Sequence, residues 1–267
     1  MNYSRISLIP ILLLLISCNE NSTTATAENG DNDDWVTIFN GENLEGWIPK
    51  IHRHETGDNY AETFRVTDGM VEVNYDGYDK FENRYGHLFY EKPYSSFHLT
   101  WEYKFTDQWM EDAPSYTYRN SGVMFHSQDP HTINKDQDWP ISVEFQMLAE
   151  AKEGEKRPTG AVCTPGTEVR IDGELDERHC IDSSAETIPW DRWVKADLIV
   201  YGDSLIIHMI NGDTVLQYTH PRIGSSGVVH NYDPAIKQDG TPLKSGYISL
   251  QGEGQGVLFK DIRIRKL

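Results

Sequence analysis

Two short stretches of this 267-residue chain set carboxylates beside carboxamides at a spacing of two. In Trp139-Pro-Ile-Ser-Val-Glu-Phe-Gln-Met147, Ser142, Glu144 and Gln146 alternate with Val143, Phe145 and Met147. In Gly246-Tyr-Ile-Ser-Leu-Gln-Gly-Glu253, Tyr247, Ser249, Gln251 and Glu253 alternate with Ile248 and Leu250. Alternation with period two marks a strand with one face in a core and one face out. A third stretch, Asn120-Ser-Gly-Val-Met-Phe-His126, sets Asn120, Met124 and His126 opposite Ser121, Val123 and Phe125. Carboxyl groups can take or give a proton, and carboxamides offer a donor and an acceptor for hydroxyls. If the three strands share a sheet, His126, Glu144, Gln146, Gln251 and Glu253 line one polar surface. A plain solvated face would also alternate, but would more often carry Lys, Thr or Ser.

The elements that must position these residues read as strands along most of the chain. Residues 64–73 form a hairpin signal around Asp68-Gly69. Residues 87–90 make a short strand, and 96–105 a longer one with Phe97, Leu99, Trp101, Tyr103 and Phe105 on one face. Residues 106–119, 127–138 and 219–244 read as loops. Residues 149–190, rich in Pro, Gly and charge, read as one long connection, of the kind that is functional or cross-linked. Residues 193–201 and 204–210 are strands, and Asn211-Gly212 turns the chain into another at 214–218. A last broken alternation covers 257–265. About ten strands and no long helix predict an all-β sandwich.

Arg5 precedes an apolar run over residues 6–16, too short to span a bilayer and fitting a signal-peptide core. Leu15-Ile-Ser-Cys18 resembles a bacterial lipobox, with cleavage before Cys18 and lipid on its thiol. The expected organisation is a signal peptide over 1–17, a flexible polar tether over 18–34, and a single domain over 35–267. This places the protein in the bacterial cell envelope, lipid-anchored, periplasmic or on the outer surface. The net charge of −18 disfavours nucleic acid and anionic lipid as partners and is compatible with a neutral sugar. The membrane is then met only through the lipid anchor. Cys163 and Cys180 remain, and in an exported protein they are expected to form a disulfide, contributing roughly 3 kcal/mol by the chain-entropy argument. A Cys-His metal site using His179 is the alternative.

Several motifs then fall in the order of a known family. They are Phe39-Asn-Gly-Glu-Asn-Leu-Glu-Gly-Trp47, Asn120-Ser-Gly-Val-Met-Phe, Trp139-Pro-Ile-Ser-Val-Glu-Phe-Gln, the Asn211-Gly212 hairpin, and Gly246-Tyr-Ile-Ser-Leu-Gln-Gly-Glu-Gly254 with Phe259-Lys-Asp-Ile-Arg-Ile. Together they resemble the 3-keto-disaccharide hydrolases over about residues 35–267. The resemblance implies a concanavalin A-like jelly roll of two curved antiparallel sheets, with the sugar site on the concave one. It implies a carbohydrate substrate, a glycoside already oxidised at C3 of the sugar. The C3 carbonyl acidifies the proton on C2, a base removes it, the aglycone leaves C1, and water adds back.

In that scheme Glu144 is the first choice for base or metal ligand, and Glu253 is second, as acid or base. Asn120, Gln146 and Gln251 orient hydroxyls. His126 polarises the carbonyl or holds a cation. Trp139 and Tyr247 stack on the sugar. His98, His179, His220 and His230 read as surface or loop residues. A divalent cation is compatible with this set, and the residues do not choose a metal. Many family members carry His near the position of Glu253, whereas this chain has Gln251-Gly-Glu-Gly254, so a His-based role does not transfer. The Glu-x-Asp-x-x-Glu run of glucanases with this fold is missing after Glu144, which argues against ordinary retaining glycosidase chemistry. A non-catalytic carbohydrate-binding module on the cell surface is the alternative reading, and a scaffold lipoprotein a third. Neither needs two acids in one pocket.

Overall fold

A computed structural model describes Met1 and residues 34–224 and 227–267. The apolar run, Cys18 and the tether up to residue 33 lie outside the described residues. Residues 34–267 make one compact unit.

Among the described residues seventeen strands follow one another. The first six are β1 (Val36–Thr37), β2 (Trp47–Ile51), β3 (Phe64–Thr67), β4 (Met70–Val73), β5 (Gly86–Tyr90) and β6 (Ser96–Trp109). The middle group is β7 (Asn120–Ser127), β8 (Val143–Leu148), β9 (Ala161–Cys163), β10 (Thr167–Ile171), β11 (Glu174–Asp176) and β12 (Cys180–Ile181). The last five are β13 (Val194–Tyr201), β14 (Leu205–Ile210), β15 (Asp213–Ile223), β16 (Tyr247–Gly252) and β17 (Gln255–Lys266). The helical content among the described residues is three single turns of 3-10 type.

The strands form two antiparallel sheets. A ten-stranded sheet runs β11-β10-β15-β14-β13-β6-β17-β4-β3, with β1 also on β17, and a seven-stranded sheet runs β12-β9-β8-β7-β16-β5-β2. Strands far apart in sequence are neighbours, as in a jelly roll: β16 sits between β7 and β5. Inward residues of both sheets fill one core, with Trp101 against Phe145 at 4.9 Å between ring centroids. This is the all-β sandwich the alternation predicted, in the jelly-roll arrangement the family resemblance implied.

The strands are longer and more numerous than the expected ten, for physical reasons. β6 runs on through Trp109 because β17 supplies partners that far, with Trp109 opposite Gln255. The sequence there is polar, since that stretch buries little. The connection over 149–190 holds β9 to β12, each of two to five residues. Such pieces are too short to show a period, and pairing with β8 and β15 holds them. Cys163 and Cys180 face each other across β9 and β12 and are bonded, with Sγ atoms 2.07 Å apart, as expected from the sequence. The Asn211-Gly212 turn has φ of +52° and +94°, which suits Asn-Gly.

Candidate functional site

The faces of β8 and β16 assort as their alternation dictates. Val143, Phe145, Met147, Ile248 and Leu250 enter the core. Glu144, Gln146 and Gln251 point away from it, on the same sheet, with β7 between the two strands. Glu144 stands opposite Met124 on β7 and Cys163 on β9. Its side chain does not rise straight from the sheet. It lies across β7 at Gly122, where a Cβ would sit 2.2 Å from its Oε1. There Oε1 accepts a hydrogen bond from Nε2 of Gln251 on β16, at 3.1 Å. A mid-strand glycine is thus the gap through which an acid on β8 reaches an amide two strands away.

Glu253 follows β16 by one residue, in the turn Gly252-Glu253-Gly254. Gly254 has φ of +97°, and a Cβ on Gly252 would meet Val73 and the Tyr75 hydroxyl. The Gly254 N–H donates to that hydroxyl at 2.8 Å, and Tyr75 is buried. The turn is pinned to the core, and Glu253 is held 2 % exposed.

Both acids line one pocket of about 360 Å³, together with Asn120, Gln146 and Gln251. Trp139 forms one wall, backed by Tyr85 at 4.6 Å and by His87 edge-on at 5.4 Å. The opposite wall is the Cys163–Cys180 disulfide with His179 and Pro165. Burial pushes the Glu144 carboxyl up to about 8, with the Gln251 hydrogen bond opposing. Glu253 is pushed well above the carboxylate range by burial and by the charge of Glu144, against a smaller pull from Arg157. Two carboxyl groups in one dry pocket do not both ionise readily, so the pair holds a proton in reserve at neutral pH. Four buried acceptor oxygens at this pocket, Asn120 Oδ1, Gln146 Oε1, Gln251 Oε1 and Glu253 Oε1, have no partner within the protein. Buried acceptors are ordinarily paired, so the pocket is built for a ligand rich in donors.

Among the described residues, one group of three His, Cys or acidic side chains has ligand atoms close enough to hold a metal: Cys163, His179 and Cys180, within 4.8 Å. Both sulfurs there are spent in the disulfide, which leaves His179 as a lone imidazole. The oxygen set around Glu144 and Glu253 is of the hard type that suits a divalent cation or sugar hydroxyls.

Of the residues singled out from sequence, Glu144, Glu253, Asn120, Gln146, Gln251 and Trp139 meet in this pocket. His126 and Tyr247 do not. β7 carries one extra residue against β16, because Tyr247 pairs with Ser127 and Ser249 with Met124. At that bulge His126 takes φ of +46° and turns its ring toward Phe97 and Phe125. Its Nε2 meets the Gly202 carbonyl at 2.9 Å, in the turn between β13 and β14. His126 therefore has no place at the acid pair. Tyr247 sits four residues before Gln251, about 13 Å along the strand. Its hydroxyl donates to Asp129 at 3.4 Å. His179 is in the pocket wall, which the loop reading did not anticipate. Reading the sequence also missed Gly122, Tyr116 and Arg157. The glycine inside the apolar run of β7 was the one available signal.

A jelly-roll sandwich with two buried acids and three carboxamides in one pocket of its sheet has the layout of a glycoside-cleaving enzyme. Residues 34–265 match the 3-keto-alpha-glucoside-1,2-lyase-like domain, and the chain belongs to that family. A Bacteroides thetaiotaomicron protein named 3-keto-disaccharide hydrolase is 23% identical over 257 residues, spanning 89% of this chain and 80% of its own. Two crystal structures from Parabacteroides distasonis ATCC 8503, both provisionally assigned as glycosyl hydrolases, share the fold. One has a TM-score of 0.53 at 20% identity, over 87% of this chain and 99% of its own. The other has 0.51 at 18%, over 88% and 95%.

Proposed function

We propose that this protein cleaves 3-keto-glycosides by abstracting the C2 proton and expelling the aglycone, and that it does so as an exported, lipid-anchored enzyme. The observation that carries the reading is the acid pair with its ring of unpartnered acceptors. A sugar supplies the missing donors through its hydroxyls. Glu144, the less strongly raised of the two, serves as base once ionised. Glu253, kept neutral by burial and by Glu144, supplies the proton for the leaving oxygen. The C2–H electrons form the C1=C2 bond as the C1–O bond breaks, and water then adds to the enone. Gln146 and Gln251 hold hydroxyls, and Trp139 packs on the ring. A binding module would have no use for two acids kept protonated in one dry pocket.

Incubation of the purified protein with 3-keto-trehalose or a 3-keto-glucoside, with and without chelator, tests the activity. Release of the aglycone is expected, with an enone intermediate absorbing in the ultraviolet. Tight binding without release would favour the module. For the anchor, support comes from Leu15-Ile-Ser-Cys18 and from a disulfide suited to an oxidising compartment. Replacing Cys18 with Ser should move the protein out of the membrane fraction, and continued membrane association would disprove lipid as the anchor.

A further inference from the structure

The acid pocket is one arm of a longer cleft. A second cavity of about 640 Å³ shares Tyr116, Asn120 and Gln146 with it and runs on past Trp109, Tyr118 and Leu148. Strand β8 gives the axis. Glu144 lines only the acid pocket, Gln146 lines both cavities, and Leu148 lines only the second. Alternate residues on a strand are about 7 Å apart, so the three mark a line about 13 Å long.

The two ends differ. Past Glu144 the acid pocket is walled by buried Pro165 and half-buried Trp139 and Val228, the disulfide flanks Glu144 on β9 and β12, and the acids and amides are largely buried. The second cavity is rimmed by exposed Ser115, Lys152 and Glu155. Its floor is aromatic and apolar. Trp109 and Tyr118 meet edge-to-face at 5.2 Å, with Leu148 beside them. The Trp109 Nε1–H donates to Thr117, which fixes the indole. Arg157 closes one side, its guanidinium donating to the carbonyls of Arg119 and Ala149 at 3.0 and 2.8 Å.

The acids are staggered along the same axis. Leu250 pairs with Val123 on β7, and Ser121 donates to the Gln251 carbonyl. Continuing that antiparallel register sets Glu253 level with Asn120, a residue common to both cavities. The Glu144 carboxyl instead lies over Gly122, one step toward the blind end. The pull of Arg157 on Glu253, and the effect of Glu253 on the Tyr116 hydroxyl, agree with Glu253 being the acid nearer the open cavity.

We infer that the cleft has a fixed polarity: the blind arm takes a single terminal glycosyl ring, and the open Trp109–Tyr118 arm is a subsite for the leaving group, with Glu253 at the junction as its proton donor. This rests on the proposed lyase reading. The leaving groups that fit are those with a flat apolar face and polar edges, meaning a second pyranose ring or an aryl alcohol. The aromatic floor takes the face, and Ser115, Lys152 and Arg157 take the edge. The departing oxygen gains its proton from Glu253 as the C1–O bond breaks, and the alcohol leaves outward while the enone stays over Glu144.

The test compares a 3-keto-glucosyl disaccharide with methyl 3-keto-glucoside, which share the reacting ring and differ in the leaving group. Tyr118→Ala removes the floor, and Ala151→Trp fills the open arm from its rim. Both should raise KM for the disaccharide about tenfold or more and leave kcat/KM for the methyl glycoside within about twofold. Equal losses on both substrates, or none on either, would overturn the subsite. Ala151→Trp lies at a half-exposed rim position, so it keeps the test valid should Tyr118→Ala fold poorly. If the unaltered protein releases neither aglycone, the lyase reading itself fails and takes the subsite with it. Turnover of both substrates by the unaltered protein separates the two failures.

Discussion

Glu144 and Asp197 occupy equivalent places in the two sheets and titrate in opposite directions. Each projects from its strand on the face away from the core, Glu144 on β8 and Asp197 on β13, and each is buried, 5 % and 8 % exposed. Burial alone pushes both carboxyls up. At Asp197 it is overcome by the His98 imidazole, 2.9 Å away, with Lys195 and Thr100 assisting, and the net shift is downward. Glu72, also in the ten-stranded sheet, is likewise held low against its burial by Arg65, Thr67 and Asn74. At Glu144 the only direct partner is a neutral amide, and the shift stays upward. The ten-stranded sheet satisfies its acids from within. The seven-stranded sheet leaves its acids and amides short of partners, which destabilises the fold but makes a site.

The largest break in this contrast is expected from Glu144→Gln. The change keeps shape and removes charge and basicity, so turnover of a 3-keto-glucoside should fall by about 100-fold or more. Stability should move the other way. The wild-type carboxyl is neutral in both folded and unfolded chains below pH 4.5, and between 4.5 and about 8 the unfolded chain ionises it more readily. Its contribution to stability is therefore full below 4.5 and lost as pH rises toward 8. Melting curves should show wild type losing stability over that window and Glu144→Gln losing less. Full activity with an unchanged melting profile would remove Glu144 from the chemistry.

Gly122→Ala should come next, at about tenfold or more in kcat, because a methyl at 2.2 Å drives the carboxylate off Gln251 without touching substrate directly. Shortening the acid with Glu144→Asp in the same chain relieves the clash, so the double variant should lose less than the two single losses combined. Independent, additive losses would show that the glycine matters for something other than the acid. The pH profile separates the roles of the two acids more gently. For the free enzyme, kcat/KM should rise with pH up to about 8 as Glu144 becomes its base form, then decline where Glu253 gives up its proton. A profile flat from pH 5 to 8 would contradict a carboxylate base with a raised pKa.

Most of the fold and much of the site could be read from the chain because both rest on the same period of two. Wherever a strand is long and one-sided, as in β8 and β16, alternation alone tells which side chains meet the core and which meet the pocket. It failed where the backbone breaks that period. One extra residue in β7 turns His126 inward, and no residue type announces a bulge at that position. Tyr247 was lost to distance, because a shared face is not a shared site. Arg157, Tyr116 and the disulfide wall come from segments with no period at all: the β9–β12 pairing places the disulfide, Arg157 is held by the carbonyls of Arg119 and Ala149, and the Asn120 amide donates to the Tyr116 carbonyl. Gly122 was visible as a residue and invisible as a role, since its function is to be absent beneath a side chain from the next strand.

The smallest expected effect belongs to the other sheet. Asp197→Asn keeps shape, loses the charge that His98 pairs with, and lies on the sheet that carries no part of the acid pocket. Activity should stay within about twofold of wild type. Stability should drop by on the order of 1 kcal/mol, because the pair is largely shielded from solvent but its Asp can still bond as an amide. The sign with pH is the reverse of that at Glu144. A carboxyl held below its ordinary value contributes stability above the carboxylate range and loses it as pH falls through its folded pKa. The gap between wild type and Asp197→Asn should therefore be widest near neutrality and close in acid, while the gap between wild type and Glu144→Gln changes in the alkaline direction. If both variants shifted with pH in the same direction, the two sheets would not be handling their acids differently, and the division between a self-satisfied face and a ligand-ready face would fall.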